Sequence, residues 1–340
     1  MRALRFLVAG CAWLYFAAIL AYLVALRWVG EGFWATTVAL YLPHGLLLAP
    51  LALLVPGLAL FGPRRLLVAA LAAAVVVLFP IMGLHVGGPA TPTGALHLRL
   101  LTYNVDSGKE PIAEVLAQVA DAAPDVIVFQ ESDTKVNEPV AAALPGFTAQ
   151  RNGQFFIVSR YPIGETELPP PVHLDGVERS PRFLRYTLDT PLGKVELFNV
   201  HPISPRDGFE SIRGSGLTTE IESGRVFHGD RHALVANTKL RSIQVHAIAD
   251  AAARSPDPVI IAGDTNLPNG SGILDALGGF KDAFAEVGRG FGYTFPAHKY
   301  RAWMRIDRIL AGKGLRFIDV EVGSRHGSDH YCVFADLEKP

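Results

Sequence analysis

The chain has two cysteines in 340 residues. Cys11 lies in an apolar run and Cys332 in an expected strand far along the chain, which excludes a disulfide framework and leaves no bridge expected between them. No cluster of Cys and His has zinc-ligand spacing. Charge is sparse, at 19% Asp, Glu, Lys and Arg. Acid is almost missing from the first 90 residues, where Glu31 stands alone against Arg2, Arg5, Arg27, Arg64 and Arg65. Taking these five bases and one acid from the chain's 31 and 32 leaves 26 basic and 31 acidic residues, so the first quarter is net +4 and the remainder net −5. With more acid than base and no long basic run, the remainder lacks the excess Lys and Arg of a general electrostatic grip on nucleic acid.

What the first quarter has instead is apolar length. Residues 6–26, 33–61 and 66–84 carry no charge, and each is long enough, at about 1.5 Å per residue, to cross a hydrocarbon core of about 30 Å as a helix. Pro43, Pro50 and Pro56 predict that the middle span is kinked or tilted. Trp28, Phe33 and Trp34 flank the first connection, where amphipathic rings favour the membrane boundary. Arg2, Arg5, Arg64 and Arg65 outweigh Arg27 alone in the first connection, which predicts a multi-pass protein of the cytoplasmic membrane with its N-terminus in the cytoplasm. Three crossings then place everything after about residue 86 outside. A cleaved signal peptide over residues 1–26 is the alternative, and two further spans would still retain the chain. The expected division is a membrane domain over 1–86, a stiff linker over 87–95 containing Pro89 and Pro92, and a second domain over 96–340.

From residue 96 the texture becomes that of short strands interleaved with helices. Leu96, Leu98 and Leu100 alternate with His97 and Arg99, the period of a half-buried strand, which runs to Tyr103-Asn104. A helix is expected over 111–122, then an apolar strand from Val126 ending in Gln130-Glu131. Further strands fit 154–159, 182–189 and 194–200, the last ending at Asn199-Val200-His201. A long helix fits 233–253, and the strand from Val259 runs into Gly263-Asp264-Thr265-Asn266. The closing strands are 304–310, containing Asp307, and 331–337, preceded by Gly327-Ser328-Asp329-His330. Such a texture builds one layered α/β domain. Residues 202–232 show no secondary-structure pattern and are rich in Gly, Ser and Arg, including Arg206, Arg213, Arg225 and Arg231 with His228 and His232. A loop of that length next to His201 is expected to cover a site or reach the bilayer.

Polar residues able to do chemistry thus sit at the ends of apolar strands: Asn104, Glu131, His201, Asp264 with Asn266, Asp307, and Asp329 with His330. Strand ends gather such side chains at one edge of a sheet core and hold them rigidly. Singly, each has a plain reading: Asn104, Asn266 and Asp329 as turn residues, Asp264 as a helix cap, Glu131 as a solvated charge. In series, Thr102-Tyr103-Asn104-Val105, Phe129-Gln130-Glu131, Ser159-Arg160-Tyr161-Pro162, Asn199-Val200-His201, Gly263-Asp264-Thr265-Asn266, Arg305-Ile306-Asp307 and Ser328-Asp329-His330 form an ordered set. Over residues 98–337 the chain resembles the endonuclease/exonuclease/phosphatase superfamily, the fold of pancreatic deoxyribonuclease, abasic-site endonucleases, neutral sphingomyelinases and inositol polyphosphate phosphatases. The resemblance implies a four-layer α/β sandwich of two packed, mostly antiparallel sheets with the active site at one end. Thr265 departs from it, standing where the family commonly has an aromatic residue. Three spans ahead of such a domain further resemble a bacterial membrane-anchored branch that includes proteins linked to teicoplanin resistance.

Phosphoester hydrolysis needs a hard cation, a water activated by a base, and help for the leaving oxygen. Oxygen ligands suit Mg²⁺ or Mn²⁺. The resemblance implies Glu131 as the principal metal carboxylate, with Asn104 and Asp329 completing or bracing the sphere. It makes His330 the general base, Asp307 the acceptor that holds its tautomer, Asp264 the residue that orients the water, and Asn266 a donor to a phosphoryl oxygen. His201 matches a second histidine that serves as phosphate donor or leaving-group acid. The implied course is in-line attack by water without a covalent intermediate. Arg182 and Arg185 either clamp a second phosphate or face solvent, and Tyr103 either touches substrate or packs. A site held outside, close to the bilayer, points to a phosphorylated substrate that is lipid-linked, a phosphoester or a pyrophosphate. The alternatives are an anchored nuclease acting on extracellular DNA, disfavoured by the net −5, and a non-catalytic scaffold, disfavoured because every ionisable motif residue is retained. The sequence carries no signal for an oligomeric state.

Overall fold

The computed structural model describes residues 2–94, 96–211, 213–224, 233–298 and 301–340. Among them, three helical segments, Arg2–Gly32, His44–Phe61 and Arg64–Ile81, are long and apolar enough to cross a membrane. They pack on one another through Ala12, Leu58, Ala70 and Val77. Phe6, Leu14, Leu20, Leu53, Leu60 and Val68 project outward, an apolar surface better matched to lipid tails than to water. Residues 33–61 do not form the single kinked span expected of them. A helix over Trp34–Leu40 stops at Tyr41, and the next apolar segment begins only at His44. Pro43 disfavours helical backbone at the residue before it. The hydroxyls of Thr36 and Thr37 bond the carbonyls of Gly30, Glu31 and Phe33, which folds the first connection tightly.

The remainder of the chain builds two six-stranded sheets. The first has the spatial order Arg316–Val322, Val333–Glu338, His97–Asn104, Val126–Gln130, Phe155–Ser159 and Thr148–Asn152. The second has the order Lys281–Asp282, Asp307–Ala311, Val259–Asp264, Gly193–Val200, Phe183–Thr190 and Ile163–Glu167. Each sheet has a parallel pair at its centre, His97–Asn104 beside Val126–Gln130 and Gly193–Val200 beside Val259–Asp264, and its other pairs are antiparallel. Parallel neighbours run in one direction and finish at one edge. Asn104 and Glu131 from one sheet, and His201 and Asp264 from the other, therefore emerge side by side.

Side-chain alternation along the strands makes the layers. Leu98, Leu100, Val126 and Val128 pack between the sheets with Leu197, Ile260, Ala262 and Ile309. Leu101, Tyr103, Ile127 and Phe129 face the other way, beneath Val115 and Val119 of the helix Ile112–Ala122 and Val136 and Val140 of the helix Thr134–Ala143. On the far side the helix Ala233–Ala253 covers Phe198, Val200, Val259 and Ile261. The order is helix, sheet, sheet, helix, the four-layer sandwich that the motifs imply.

Two stretches differ from their sequence expectation. The segment read as a linker is bound to the core. His85–Val86 pairs with Arg289–Gly290, Ala90 N–H donates to Ile318 O at 2.7 Å, and Thr93 and Gly94 donate to the Glu338 carboxylate that Arg316 also holds. Residues 202–232 are not patternless, since helices form over Arg206–Glu210 and Ser215–Glu222. Arg225, His228, Arg231 and His232 lie outside the described residues.

At the edge of the second sheet, Asp282 accepts bonds from Arg305 at 2.6 Å and from Arg308 at 2.7 Å, and both arginines are buried. Burial opposes its charge, but the two guanidiniums outweigh it and hold the carboxyl below the usual carboxylate range. Asp282→Ala strands two buried cations and is expected to cost about 3–5 kcal/mol, measured by denaturant unfolding; a loss below about 1 kcal/mol would contradict the ion-pair account.

Candidate active site

The site is built at the shared edge of the two sheets. Gln130 Nε2 donates to Asn199 Oδ1 at 2.8 Å and to Thr102 Oγ1 at 3.1 Å, and Asn199 Nδ2 donates to Phe129 O at 3.1 Å. These motif residues tie one sheet to the other just below the functional groups. Gly263 sets the approach of the two parallel strands: a Cβ there would lie 2.0 Å from Val200 O. Only glycine allows that contact, and it delivers Asp264 to the edge opposite Asp307 in the antiparallel register.

Four carboxylates and two imidazoles converge. Asn104 Nδ2 donates to Asp264 Oδ2 at 3.0 Å and to Glu131 Oε1 at 3.3 Å, while its Oδ1 accepts from Asp106 N–H at 3.1 Å. Asp264 Oδ1 accepts from Asn266 N–H at 2.8 Å. His330 Nδ1 lies 2.9 Å from Asp307 Oδ2, which places its Nε2 3.8 Å from both Asp264 and Asp329. Burial works against a charge on His330, but Asp307, Asp264 and Asp329 around it prevail and raise it to about 10. Burial, reinforced by the Asp307 charge, pushes Asp264 up against the pull of His330.

His201 is buried with Nδ1 2.6 Å from Gln154 Oε1, so Nδ1 carries the proton. Burial, then the charges of Arg182 and His330, lower it to about 3. Its Nε2 therefore turns a lone pair towards Glu131 at 3.4 Å and Asp264 at 3.6 Å, with no hydrogen-bond partner of its own. The donor or acid role expected from the motif needs a proton on Nε2, the nitrogen that faces these carboxylates. The same atom supplies the fit test for a metal. Glu131, Asp264 and His201 turn acceptors toward one another, met by the Asn104 amide and, at Asp264 Oδ1, by the Asn266 N–H, a ligand set suited to a hard divalent cation. Asp264, Asp307 and His330 also offer ligand atoms within 4.8 Å of one another. Asp307 and His330 already bond each other, which leaves Glu131, Asp264 and Asp329 as the motif carboxylates that line the pocket.

The pocket has a volume of about 880 Å³. Beyond its acidic end it has an apolar wall of Tyr41, Ile203, Pro205, Phe209, Phe295 and Met304, and arginines at 151, 182, 206 and 213 also line it. Arg182 has φ +60 and accepts His201 N–H at its carbonyl. Arg206 comes within 3.6 Å of Asp329. Asn266 lines the pocket too, but it donates from Nδ2 to Pro202 O at 3.0 Å, leaving one amide hydrogen for any ligand. Asn104 likewise presents its amide hydrogens, not its oxygen, to the carboxylates, and so braces them.

Two expected substrate contacts are corrected. Arg185 is held by Glu167 at 2.7 Å and Glu196 at 2.6 Å, outside the pocket. Tyr103 is fully buried against Phe129 beneath the helices, because it points to the opposite face of the strand from Asn104. Thr265, in place of an aromatic residue, bonds Ile306 O through its hydroxyl at 2.7 Å and ties the motif turn to the neighbouring strand. Gln154, Arg151 and Tyr41 were not foreseen. Only for Gln154 was there a signal, the Asn152-Gly153-Gln154 turn ahead of an apolar strand.

In the protein treated with chelator, His330 is expected to stay protonated at pH 8 and to titrate with a midpoint of about 10. Because its folded value is raised, its contribution to stability is complete below about pH 6.5 and is lost as pH rises through about 10. An NMR titration of the imidazole checks this, with Asp307→Asn expected to bring the midpoint down; a wild-type midpoint at or below 6.5 would refute the assignment.

The Endonuclease/Exonuclease/phosphatase family matches this chain over residues 101–330. No curated protein matches it. Among solved structures, humanised D. rerio TDP2 with 14 mutations is similar at 18% identity and a TM-score of 0.53, covering 72% of this chain and 99% of that one. D. rerio TDP2 complexed with a single-strand DNA product has 18% identity and a TM-score of 0.50 over 72% and 99% of the two chains. The mannosyl-6-phosphatase Bt3783 of Bacteroides thetaiotaomicron VPI-5482 has 16% identity and a TM-score of 0.50 over 71% and 99%. Identities this low show the fold alone, while the family match covers more than half of the chain and takes in the motif series from Asn104 to His330. The chain belongs to the endonuclease/exonuclease/phosphatase family, whose members are metal-dependent phosphoesterases and nucleases.

Proposed function

We propose that the protein is a membrane-anchored, divalent-metal-dependent hydrolase of a lipid-linked phosphoester or pyrophosphate on the extracytoplasmic face. The observation that carries this reading is the pocket itself, which joins the acidic end to an apolar wall and takes one wall residue, Tyr41, from the connection between the first two apolar segments. A phosphate head group with a hydrocarbon tail matches both halves. The arginines at 151, 182, 206 and 213 suit a second phosphate or an anionic head group. The distribution of Arg2, Arg5, Arg64 and Arg65 supports the outward placement.

The cation, magnesium or manganese, would be held by Glu131 and Asp329 with Asn104 as brace, and it supplies neutralising charge to the phosphate oxygens. Despite burial, the acids around His330 keep it protonated in the metal-free protein; with their charge offset by a bound cation, the neutral imidazole would donate Nδ1–H to Asp307 and leave Nε2 facing the pocket to take a proton from water. Asp264, 3.8 Å from that nitrogen, orients the water, and Asp307 stabilises the imidazolium that forms. The free amide hydrogen of Asn266 is directed to a phosphoryl oxygen. Attack is in line, with no covalent intermediate.

A nuclease is the second reading. A solved structure of the same fold holds a single-strand DNA product, which favours keeping nucleic acid among the substrates to test.

Full-length protein with Mg²⁺ or chelator, assayed against polyprenyl pyrophosphate, phospholipid, sphingomyelin, a generic phosphodiester and DNA, separates the readings. Hydrolysis of a lipid phosphate that chelator abolishes and His330→Ala lowers by about 10²-fold or more is expected. Cleavage of DNA alone would replace the lipid reading with the nuclease, and turnover of none would leave only the scaffold. A reporter fused after residue 95 that reads as cytoplasmic would overturn the outward placement.

A further inference from the structure

The loop that carries the catalytic motif also docks the membrane segment. Asn266 O accepts the Tyr41 hydroxyl at 2.8 Å, Asn269 Nδ2 donates to Met82 O at 3.3 Å, Ser271 Oγ donates to Glu31 at 2.5 Å, and Asp275 pairs with Arg27 at 3.2 Å. Trp303 Nε1 donates to Tyr41 O at 3.1 Å, and the Tyr41 ring stands edge-on to Phe209 with centroids 5.1 Å apart. Asn266 has φ +52, a left-handed conformation that a non-glycine residue keeps only when its surroundings enforce it. Three bonds do so: its N–H to Asp264 Oδ1, its Nδ2 to Pro202 O, and its carbonyl from Tyr41. The first of these orients the Asp264 carboxylate. Tyr41 thus holds one end of the turn whose other end aims Asp264.

We propose that the connection between the first two apolar segments is part of the active site, and that Tyr41 is a positioning residue that sets the Asp264–Asn266 turn through its hydroxyl. It rests on the role given above to Asp264 and is independent of which phosphoester is the substrate. Glu31, the one acid in the first 90 residues, is fixed by Ser271 and anchors the same connection. The contacts of Arg27, Glu31 and Tyr41 also require the first connection and the hydrolase domain to lie on one side of the bilayer, as two crossings between that connection and residue 86 provide.

The test uses the full-length protein and a water-soluble generic phosphodiester beside any lipid substrate, so that failure of the lipid reading leaves it intact. Tyr41→Phe keeps the ring against Phe209 and removes only the hydroxyl. Its expected effect is a fall in kcat of about fivefold to tenfold, the weight of one buried hydrogen bond, with KM within about twofold. A second arm needs no turnover. In a Cys11→Ala background, Arg27→Cys with Asp275→Cys is expected to be bridged by a short bismaleimide in native membranes, and Arg27→Cys with Leu168→Cys is not. An unchanged kcat, a change confined to KM, or an absent bridge while both single cysteines label would each overturn the proposal.

Discussion

One buried hydrogen bond, from Gln130 Nε2 to Asn199 Oδ1 at 2.8 Å, joins the two sheets directly beneath the reactive groups. A polar pair inside an apolar core is expensive unless every member finds a partner, and Thr102 and Phe129 O complete this one. It has a geometric effect as well as an energetic one. Glu131 follows Gln130 in one sheet and His201 comes two residues after Asn199 in the other, so fixing the amides against each other fixes those side chains too. The layers could slide if only Leu and Val met between them. The amides select one register, and Gly263 lets the adjacent parallel strand close on it.

The motif residues were legible because a strand end is a local property of sequence. Asn104, Glu131, Asp264, Asp307, Asp329 and His330 all follow or begin an apolar run, and all but Asp307 and Asn104 line the pocket, those two touching groups that do. The errors came from reading proximity along the chain as proximity in space. Tyr103 and Arg185 are near functional residues in sequence, but strand alternation and local ion pairs turn them away. The helix Thr134–Ala143 carries Pro139 and Asn137 inside it, which hid it from a periodicity search, and the strand Thr148–Asn152 is a polar edge without an apolar face. Tyr41 was illegible for another reason. It sits in a charge-free run, and composition alone cannot tell a lipid-facing tyrosine from one that bonds a carbonyl 225 positions away.

Charge follows the same division. The acids of the site gather around His330, which bonds Asp307 at 2.9 Å and lies 3.8 Å from Asp264 and from Asp329. The arginines that line the pocket come from several segments, including a short helix, Arg206–Glu210, in the least family-like part of the chain. The strand-end centre thus carries the acids and imidazoles, and the arginines that line the pocket stand around it.

The bonds of residues 85–94 to Arg289–Gly290, Ile318 and Glu338, with Asn269 and Tyr293 on Met82, leave no slack between the last apolar helix and the hydrolase core. The cleft therefore stands at one fixed height above the helix ends. A domain on a loose leash samples every distance from its anchor, whereas here the ten residues from His85 to Gly94 are splinted along the core, so that displacing the cleft from the helices means breaking those bonds first.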